Sequence, residues 1–369
     1  MKIIHLSYSL MKPAYKSPEQ WLGSVRFLAG VMESLAKHHT VTGIFHIGYK
    51  GTLQHNGVTY MFPGYSGWQL FFPLGFHHYL KKLRPDAVIV HGLKSPWQVL
   101  MLKFQLGSRV KIILQHHAER PYRDFRKYIQ SWADRHVFAY LFASRELGLQ
   151  WVNQKQINDR GKIKEIMGTS SPFAIAGKDV ARRATNVKGE KIFLWVGRLD
   201  ANKDPMTVIK AFSELVKTEP SARLYMIYQT FGLLEEVAAL VDLNGATDHI
   251  NLVGRVDHSA LQDWYNSADF IISSSLYEGS GIAVCEALSC GCIPIVTDIP
   301  SFRMMTGNGT VGLLFEAGNS DSLLEMLHRS FMLDIPAERD KVLRQFKNEL
   351  SFDANARKIM RVIEEVPEP

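Results

Sequence analysis

Two α/β domains, each built on a doubly wound parallel sheet, are what this sequence predicts, and three observations predict them. Short apolar runs alternate with amphipathic stretches along most of the chain, and strand alternating with helix argues for parallel sheets joined by crossover helices. Residues 269–298 read as one complete β-loop-α-β unit: a buried strand at 270–273, a tight glycine loop at 278–281, a helix at 282–289 stopped by Gly291, and a strand at 293–297. The third observation is length. A chain of 369 residues is long enough for two sizeable cores.

Taken in order, residues 2–7 form an opening strand and residues 8–20 a long loop. Residues 21–37 carry Leu22, Val25, Phe27, Leu28, Val31, Met32 and Leu35 close to a helical repeat. Residues 41–46, 58–62, 87–91, 111–115 and 136–139 read as further strands, with helices at 76–82 and 96–105. In the second half, 191–196, 223–228 and 250–253 read as strands, and 205–217 and 233–243 as helices. Residues 321–331 and 353–365 close the chain as helices. Ligands of such sheets bind beyond the carboxyl ends of the strands, which draws attention to His91 and to Gln115-His116-His117.

The chemistry of residues 269–298 lies in the loop and the first helical turns. Gly279 and Gly281 remove Cβ atoms where a ligand can approach the backbone, and the free N–H groups at the helix start favour a phosphate. Glu278 and Glu286 have seven residues between them, one before the helix and one inside it, and ionised carboxylates suit vicinal hydroxyls. These groups outline a ligand with phosphates flanked by polyols. A carboxylate before a helix, or a lone Gly-x-Gly, has an ordinary structural reading; their combination is rarer.

Composition narrows the class. Hydrophobic residues at 46% and charged residues at 21% are ordinary for a globular enzyme. No run of eighteen apolar residues occurs and the amino terminus lacks a secretory leader pattern, so a cytoplasmic location is expected. Cys285, Cys290 and Cys292 lack a zinc-type spacing and read as small core residues. Charge is uneven: residues 1–172 hold 23 Lys and Arg against 9 Asp and Glu, or +14, and residues 173–369 hold 20 against 27, or −7. The basic half should seek an anionic surface or acceptor. No nucleic-acid motif accompanies the charge, so an anionic membrane or phosphorylated lipid is the expected partner. Two basic, aromatic tracts fit a membrane interface: Trp68, Phe71, Phe72 and Phe76 with Lys81, Lys82 and Arg84, then Arg120 to Trp132. The competing reading is a helix with core aromatics and solvated cations.

Glu278-Gly-Ser-Gly-Ile-Ala-Val-Cys-Glu286 followed by Ala287-Leu-Ser-Cys-Gly291 resembles the Glu-x7-Glu signature of retaining, nucleotide-sugar-dependent glycosyltransferases of the GT-B fold, family 4 (glycosyl transferases group 1). The resemblance extends through Trp195-Val-Gly-Arg198-Leu-Asp-Ala-Asn-Lys203, Asn251-Leu-Val-Gly254-Arg255-Val256 and Val311-Gly-Leu-Leu-Phe315, covering residues 190–330 throughout and the first half in outline. It implies two Rossmann-like doubly wound domains facing across a cleft. Residues 1–173 would be the acceptor-binding domain, joined by the C-terminal helix 353–369. Residues 174–189, rich in Ala, Lys and Arg, would be the linker, and 190–352 the nucleotide-sugar-binding domain.

By the same resemblance Arg198 and Lys203 grip the donor diphosphate, Glu286 holds the ribose, and Glu278 serves the sugar or its anomeric centre. Gly279, Ser280, Gly281 and Ile282 supply backbone donors. Arg255 and Val256 flank the base, and His117, with His116 beside it, faces the donor sugar or acceptor. Gly23-Ser24 stands where the family carries a glycine pair that closes the loop after the first strand. The sequence does not choose between the two histidines.

The implied enzyme is a hexosyltransferase-type transferase in polysaccharide biosynthesis. It moves sugar from a UDP- or GDP-sugar co-substrate to a lipid-linked or envelope glycan acceptor, with no metal and no other cofactor, peripheral to the inner face of the membrane. An epimerase of the same fold would isomerise the nucleotide sugar without acceptor. A non-catalytic partner subunit would bind nucleotide poorly.

Overall fold

The computed structural model describes residues 1–10 and 15–365 of the chain. Two compact units result, one from residues 1–170 with the segment beginning at Phe352, the other from residues 171–351.

The first unit runs β1 (Lys2–Leu10), α1 (Pro18–Ser24), α2 (Arg26–Ala36), β2 (Thr40–His46), β3 (Gly51–His55), β4 (Val58–Phe62), α3 (Gly67–Phe71) and α4 (Leu74–Leu83). It continues through β5 (Ala87–His91), α5 (Pro96–Leu106), β6 (Lys111–Gln115), α6 (Arg126–Asp134), β7 (Ala139–Phe142), α7 (Arg145–Asn153) and β8 (Ile163–Glu165). The sheet order is β3-β4-β2-β1-β5-β6-β7-β8. All neighbours are parallel except β3 and β4, an antiparallel edge hairpin closed by Asn56-Gly57. Both turn residues have positive φ, 45° and 81°, which a two-residue hairpin turn requires and this dipeptide supplies.

The second unit comprises α8 (Lys178–Thr185), β9 (Lys191–Gly197), α9 (Pro205–Leu215), β10 (Ala222–Tyr228), α10 (Leu234–Leu243), β11 (Ile250–Gly254), α11 (Leu261–Ser267) and β12 (Phe270–Ser273). After these come α12 (Ile282–Ser289), β13 (Ile293–Thr297), α13 (Pro300–Met305), β14 (Leu313–Phe315), α14 (Ser320–Ser330) and α15 (Ile335–Gln345), and a π-turn at Phe346–Leu350. Its six strands are all parallel in the order β11-β10-β9-β12-β13-β14. The chain therefore fills one side of β9 first and then the other, so the topological switch point lies between β9 and β12. A crevice forms there at the carboxyl ends of the strands.

The last helix, α16 (Phe352–Glu364), returns to the first unit. Its Ala356, Ile359, Met360, Val362 and Ile363 join the core formed by α2, β1, β2, β4 and β5. Buried Asn355 accepts from the Gly168 N–H at 3.2 Å and donates to the Thr169 carbonyl at 3.3 Å. Residues 366–369 of the expected helix lie outside the described residues.

Several boundaries differ from the sequence expectations. β1 runs on to Leu10, and the 8–20 loop is shortened further by α1, which starts at Pro18 under a Ser17 cap, Ser17 Oγ accepting from Gln20 N at 3.2 Å; residues 11–14 lie outside the described residues. The single helix expected at 21–37 is two, because Val25 leaves helical geometry at φ −114° and ψ 24°. The strand expected at 136–139 starts at Ala139, since His136 and Val137 complete a turn bonded to Ala133 and Asp134. Residues 174–189, expected as linker, belong to the second unit and contain α8. Buried Asp269 anchors that helix through Lys178 and Arg182 and also accepts from the Ile192 N–H at 2.9 Å. A segment poor in large apolar groups is tied down here by charge.

Candidate active site

Two loops meet at the switch point of the second sheet. The loop after β9 carries Arg198, Asp200 and Lys203; the loop after β12 runs through Glu278 and Gly279 to α12. Backbone and side-chain bonds stitch them together. Leu276 N–H donates to the Asn202 carbonyl at 2.8 Å, Asn202 Nδ2 to the Tyr277 carbonyl at 3.0 Å, and Ser274 Oγ to the Lys203 carbonyl at 2.7 Å. Ser301 Oγ, at the start of α13, donates to the Glu278 carbonyl at 2.6 Å. With both loops fixed, Lys203 Nζ forms an ion pair with Glu278, each side chain mostly buried. The structure thus brings Lys203 and Glu278 together.

Gly281 sets the start of α12. It occupies the N-cap in the left-handed region at φ 53°, and a Cβ there would lie 2.7 Å from Phe302 Cε1. No side chain caps this helix, and the N–H groups of Ile282 and Ala283 have no acceptor among the described residues. Orphan amides at a helix start carry partial positive charge and favour an anion. Gly281→Ala is expected to destabilise the second unit by about 1–3 kcal/mol through left-handed strain and the Phe302 contact, read as a lower midpoint in chemical denaturation.

Glu286 does not meet Glu278. It is 3% exposed, and its two oxygens take separate donors: His258 Nε2 at 2.7 Å and the Tyr265 hydroxyl at 3.1 Å. Neither partner was found from the sequence. His258 stands two residues past Val256, in a 3-10 turn, and its ring leans on Phe173 with centroids 5.0 Å apart. The Glu286 hydrogen bond raises the His258 pKa above its ordinary 6.5, against an opposing effect of burial. A raised folded-state value means that this pair contributes stability fully below the unfolded pKa and loses it as pH rises through the folded one. The melting-temperature gap between wild type and His258→Ala is therefore expected to be widest below the ordinary 6.5 and to narrow as the pH is raised into the alkaline range.

Arg198 is 60% exposed and pairs with Asp200, Nε to Oδ2 at 2.7 Å. Among the described residues its guanidinium makes no hydrogen bond or ion pair with the 278–281 loop. Burial raises the Asp200 pKa, but the Arg198 hydrogen bond, the Lys203 backbone N–H and both cations outweigh it and hold the carboxyl below its usual value. Arg255 is exposed after Gly254, itself at φ 84°, and Val256 packs on the β9, β10 and β12 core. The three cysteines are buried thiols outside any disulfide, with the Cys290 thiol pushed up to about 12 by burial.

In the first unit, His116 and His117 separate. His116 is buried, its ring 4.6 Å from that of Phe142 and its Nε2 2.8 Å from the Glu119 carbonyl. His117 is exposed beyond the end of β6. Gly23 and Ser24, expected in a loop, form the last turn of α1, with Ser24 Oγ donating to the Trp21 carbonyl at 2.7 Å. The Ser17 cap and Pro18 start the helix early enough to absorb them.

Residues 178–345, nearly the whole second unit, match the family model described as glycosyl transferases group 1. The second unit is a group 1 glycosyltransferase domain. Over the longer chain, a GDP-mannose:cellobiosyl-diphosphopolyprenol alpha-mannosyltransferase of Xanthomonas oryzae pv. oryzae is 26% identical across 62% of this chain and 60% of its own. An N-acetylgalactosamine-N,N'-diacetylbacillosaminyl-diphospho-undecaprenol 4-alpha-N-acetylgalactosaminyltransferase of Campylobacter jejuni is 22% identical across 78% and 76%. The match to the Xanthomonas protein thus spans about 60% of that relative's length. Among solved structures, a glycosyltransferase from Rickettsia africae superposes with a TM-score of 0.75 over 98% of this chain and 97% of that one, at 16% identity. Sucrose-phosphate synthase from Thermosynechococcus elongatus gives 0.70 over 98% of each, at 17% identity. Likeness at that identity establishes the fold, which is GT-B, and the group 1 domain carries the loop, ion pair and helix start described above.

Proposed function

We propose that the chain is a retaining glycosyltransferase that moves a sugar from a nucleotide-sugar donor to a lipid-linked or envelope-polysaccharide acceptor without a metal ion. One observation carries the reading: an uncapped helix start at Gly281, with Lys203 held beside it by Glu278, at the switch point of the group 1 domain. As the bond from the anomeric carbon to the diphosphate breaks, negative charge grows on the leaving oxygens, and fixed donors aimed there lower the barrier. Lys203, the Ile282 and Ala283 amides and Arg198, once released from Asp200, would supply that charge. The Arg198–Asp200 and Lys203–Glu278 ion pairs hold both cations in place. Gly279 and Ser280 would add backbone donors, Glu286 would hold the ribose diol, and Arg255 with Val256 would flank the base. No cofactor beyond the nucleotide sugar is required.

The names of the Xanthomonas and Campylobacter relatives, both diphosphopolyprenol glycosyltransferases, support a lipid-linked acceptor. Binding of a panel of UDP-, GDP- and ADP-sugars by calorimetry tests the donor. Transfer in the presence of EDTA tests metal independence, and proton NMR of the first-formed product tests retention. Failure to bind any of the sugars removes the proposal. Isomerisation of the donor without acceptor would make the chain an epimerase.

A peripheral site on the cytoplasmic face of the membrane suits such an acceptor. Trp68, Phe71 and Phe72 are exposed and in mutual contact, with centroids 4.8 to 6.2 Å apart. Phe125, Tyr128 and Trp132 are exposed on and before α6, while Phe76 and Tyr122 of the same tracts are buried. Rings beside cations on the basic unit support contact with anionic lipid. Trp68→Ser with Phe71→Ser is expected to cut sedimentation with phosphatidylglycerol vesicles several-fold and to leave donor binding unchanged. Among the described residues no helix is long and apolar enough to cross a membrane.

A further inference from the structure

We infer that His5 and His91 are positioning residues that hold the His117 imidazole as its Nδ1–H tautomer, presenting a fixed hydrogen-bond donor to an oxygen of the acceptor. This deepens the transferase reading and rests on it for the identity of that oxygen.

Three imidazoles step from the middle of β1 through the carboxyl end of β5 to the turn after β6, beside the first sheet's own switch point between β1 and β5. Strand register places Ser7 beside His91 and His91 beside Gln115. His5 lies two residues before Ser7 and His117 two residues after Gln115, so the ladder runs diagonally. Successive rings stack with centroids 5.3 Å apart and planes 26° apart in both pairs. His5 Nδ1 is 3.1 Å from His91 Nε2, and His91 Nδ1 is 3.1 Å from His117 Nε2.

Proton counting decides the tautomers. Burial pushes His5 down to about 3 and His91 well below its ordinary value, so both rings are neutral at working pH and each carries one N–H. Each of the two contacts needs one proton. Since His91 has only one to give, both bonds must point the same way, outward from His5 or inward from His117. In the inward arrangement the His5 proton sits on Nε2, which is buried and meets no protein acceptor among the described residues. An orphaned buried N–H is rarer than a bare buried acceptor, so the outward arrangement wins. His117 then accepts on Nε2 and carries its proton on Nδ1.

Among the described residues no side chain continues the ladder past His5 Nε2. Apolar side chains would fill the same space without desolvating His5 and His91, so the ladder's cost points to orientation of the outermost ring. The turn holding that ring is fixed as well: Glu119 accepts from the His117 N–H at 2.6 Å and from the Leu93 N–H at 3.0 Å. A sugar hydroxyl or a phosphate oxygen would take the Nδ1 proton as a hydrogen bond.

Long-range nitrogen–proton NMR of the full chain labelled with 15N-histidine reads the tautomers directly. Expected are protonated Nδ1 and bare Nε2 in His5, His91 and His117 at neutral pH. His91→Phe keeps a stacked ring but removes both nitrogens. In it, His117 is expected to shift toward Nε2–H, and kcat/KM for the acceptor to fall about tenfold at unchanged donor affinity. A bare Nδ1 on wild-type His117 overturns the inference even where His91→Phe does not fold. So does a His91→Phe enzyme with wild-type kcat/KM. A wild-type chain with the expected spectrum but no transfer to any acceptor would instead sink the transferase reading, leaving the tautomer standing.

Discussion

Lys203→Ala is expected to lower turnover of the nucleotide-sugar donor by about 10²–10³-fold, the usual cost of removing one fixed donor from a developing anion. The side chain ends at Glu278, in the loop that leads into the uncapped start of α12. Its ammonium is the cation that the structure holds against that loop, whereas Arg198 rests on Asp200. The backbone of Lys203 is anchored independently, its N–H donating to Asp200 Oδ1 at 3.0 Å and its carbonyl accepting from Ser274. Truncation removes the charge without unravelling the turn, but it strands the mostly buried Glu278 carboxylate, so the melting temperature should fall as well. Single-turnover rates at saturating donor are the measurement. A rate within threefold of wild type would show that Lys203 does not stabilise the leaving group.

The second large effect is expected at Glu286. Its carboxylate is nearly closed off from solvent between His258 and Tyr265, and hydrogen bonds to a charged group contribute about 1.5–3 kcal/mol each. Glu286→Gln should weaken donor binding by roughly 10- to 100-fold, the loss of one charge-assisted bond to the ribose. Glutamine is the informative choice because it keeps an acceptor for the Tyr265 hydroxyl, which is fully buried. Alanine would leave that hydroxyl unpaired at a cost of about 1–3 kcal/mol and mix a folding defect into the result. Calorimetric titration with the preferred nucleoside diphosphate separates the two. Equal affinity in wild type and Glu286→Gln would remove Glu286 from the donor site.

The parts of the molecule that could be read in advance share one property: their signals are local. β12, α12 and β13 fall where the sequence places them because each apolar run is bounded by glycine or a polar turn. The hairpin of β3 and β4 was equally local, and Asn56-Gly57 announces it, yet the polar alternation of an edge strand hid β3. What could not be read depends on contacts between elements distant in the chain. Nothing near Glu286 reveals that His258 and Tyr265, 28 and 21 residues away, occupy its oxygens. Nothing in residues 174–189 shows that Asp269 will fix α8. Which of His116 and His117 is buried depends on which ring meets Phe142 across β6 and β7. The helix break at Val25 interrupts a repeat that continues on either side, so periodicity runs straight over it.

The return of α16 has a bearing on synthesis. Its apolar side chains complete a core whose other walls are made from residues 1–170, while residues 171–351 form a separate unit inserted between them. During translation the later unit can reach its final packing while the earlier one still lacks a wall, reversing the usual order in which the first segment to emerge matures first. Until the ribosome releases the closing residues, the nascent amino-terminal sheet keeps an open greasy flank, the state most exposed to chaperones and to aggregation.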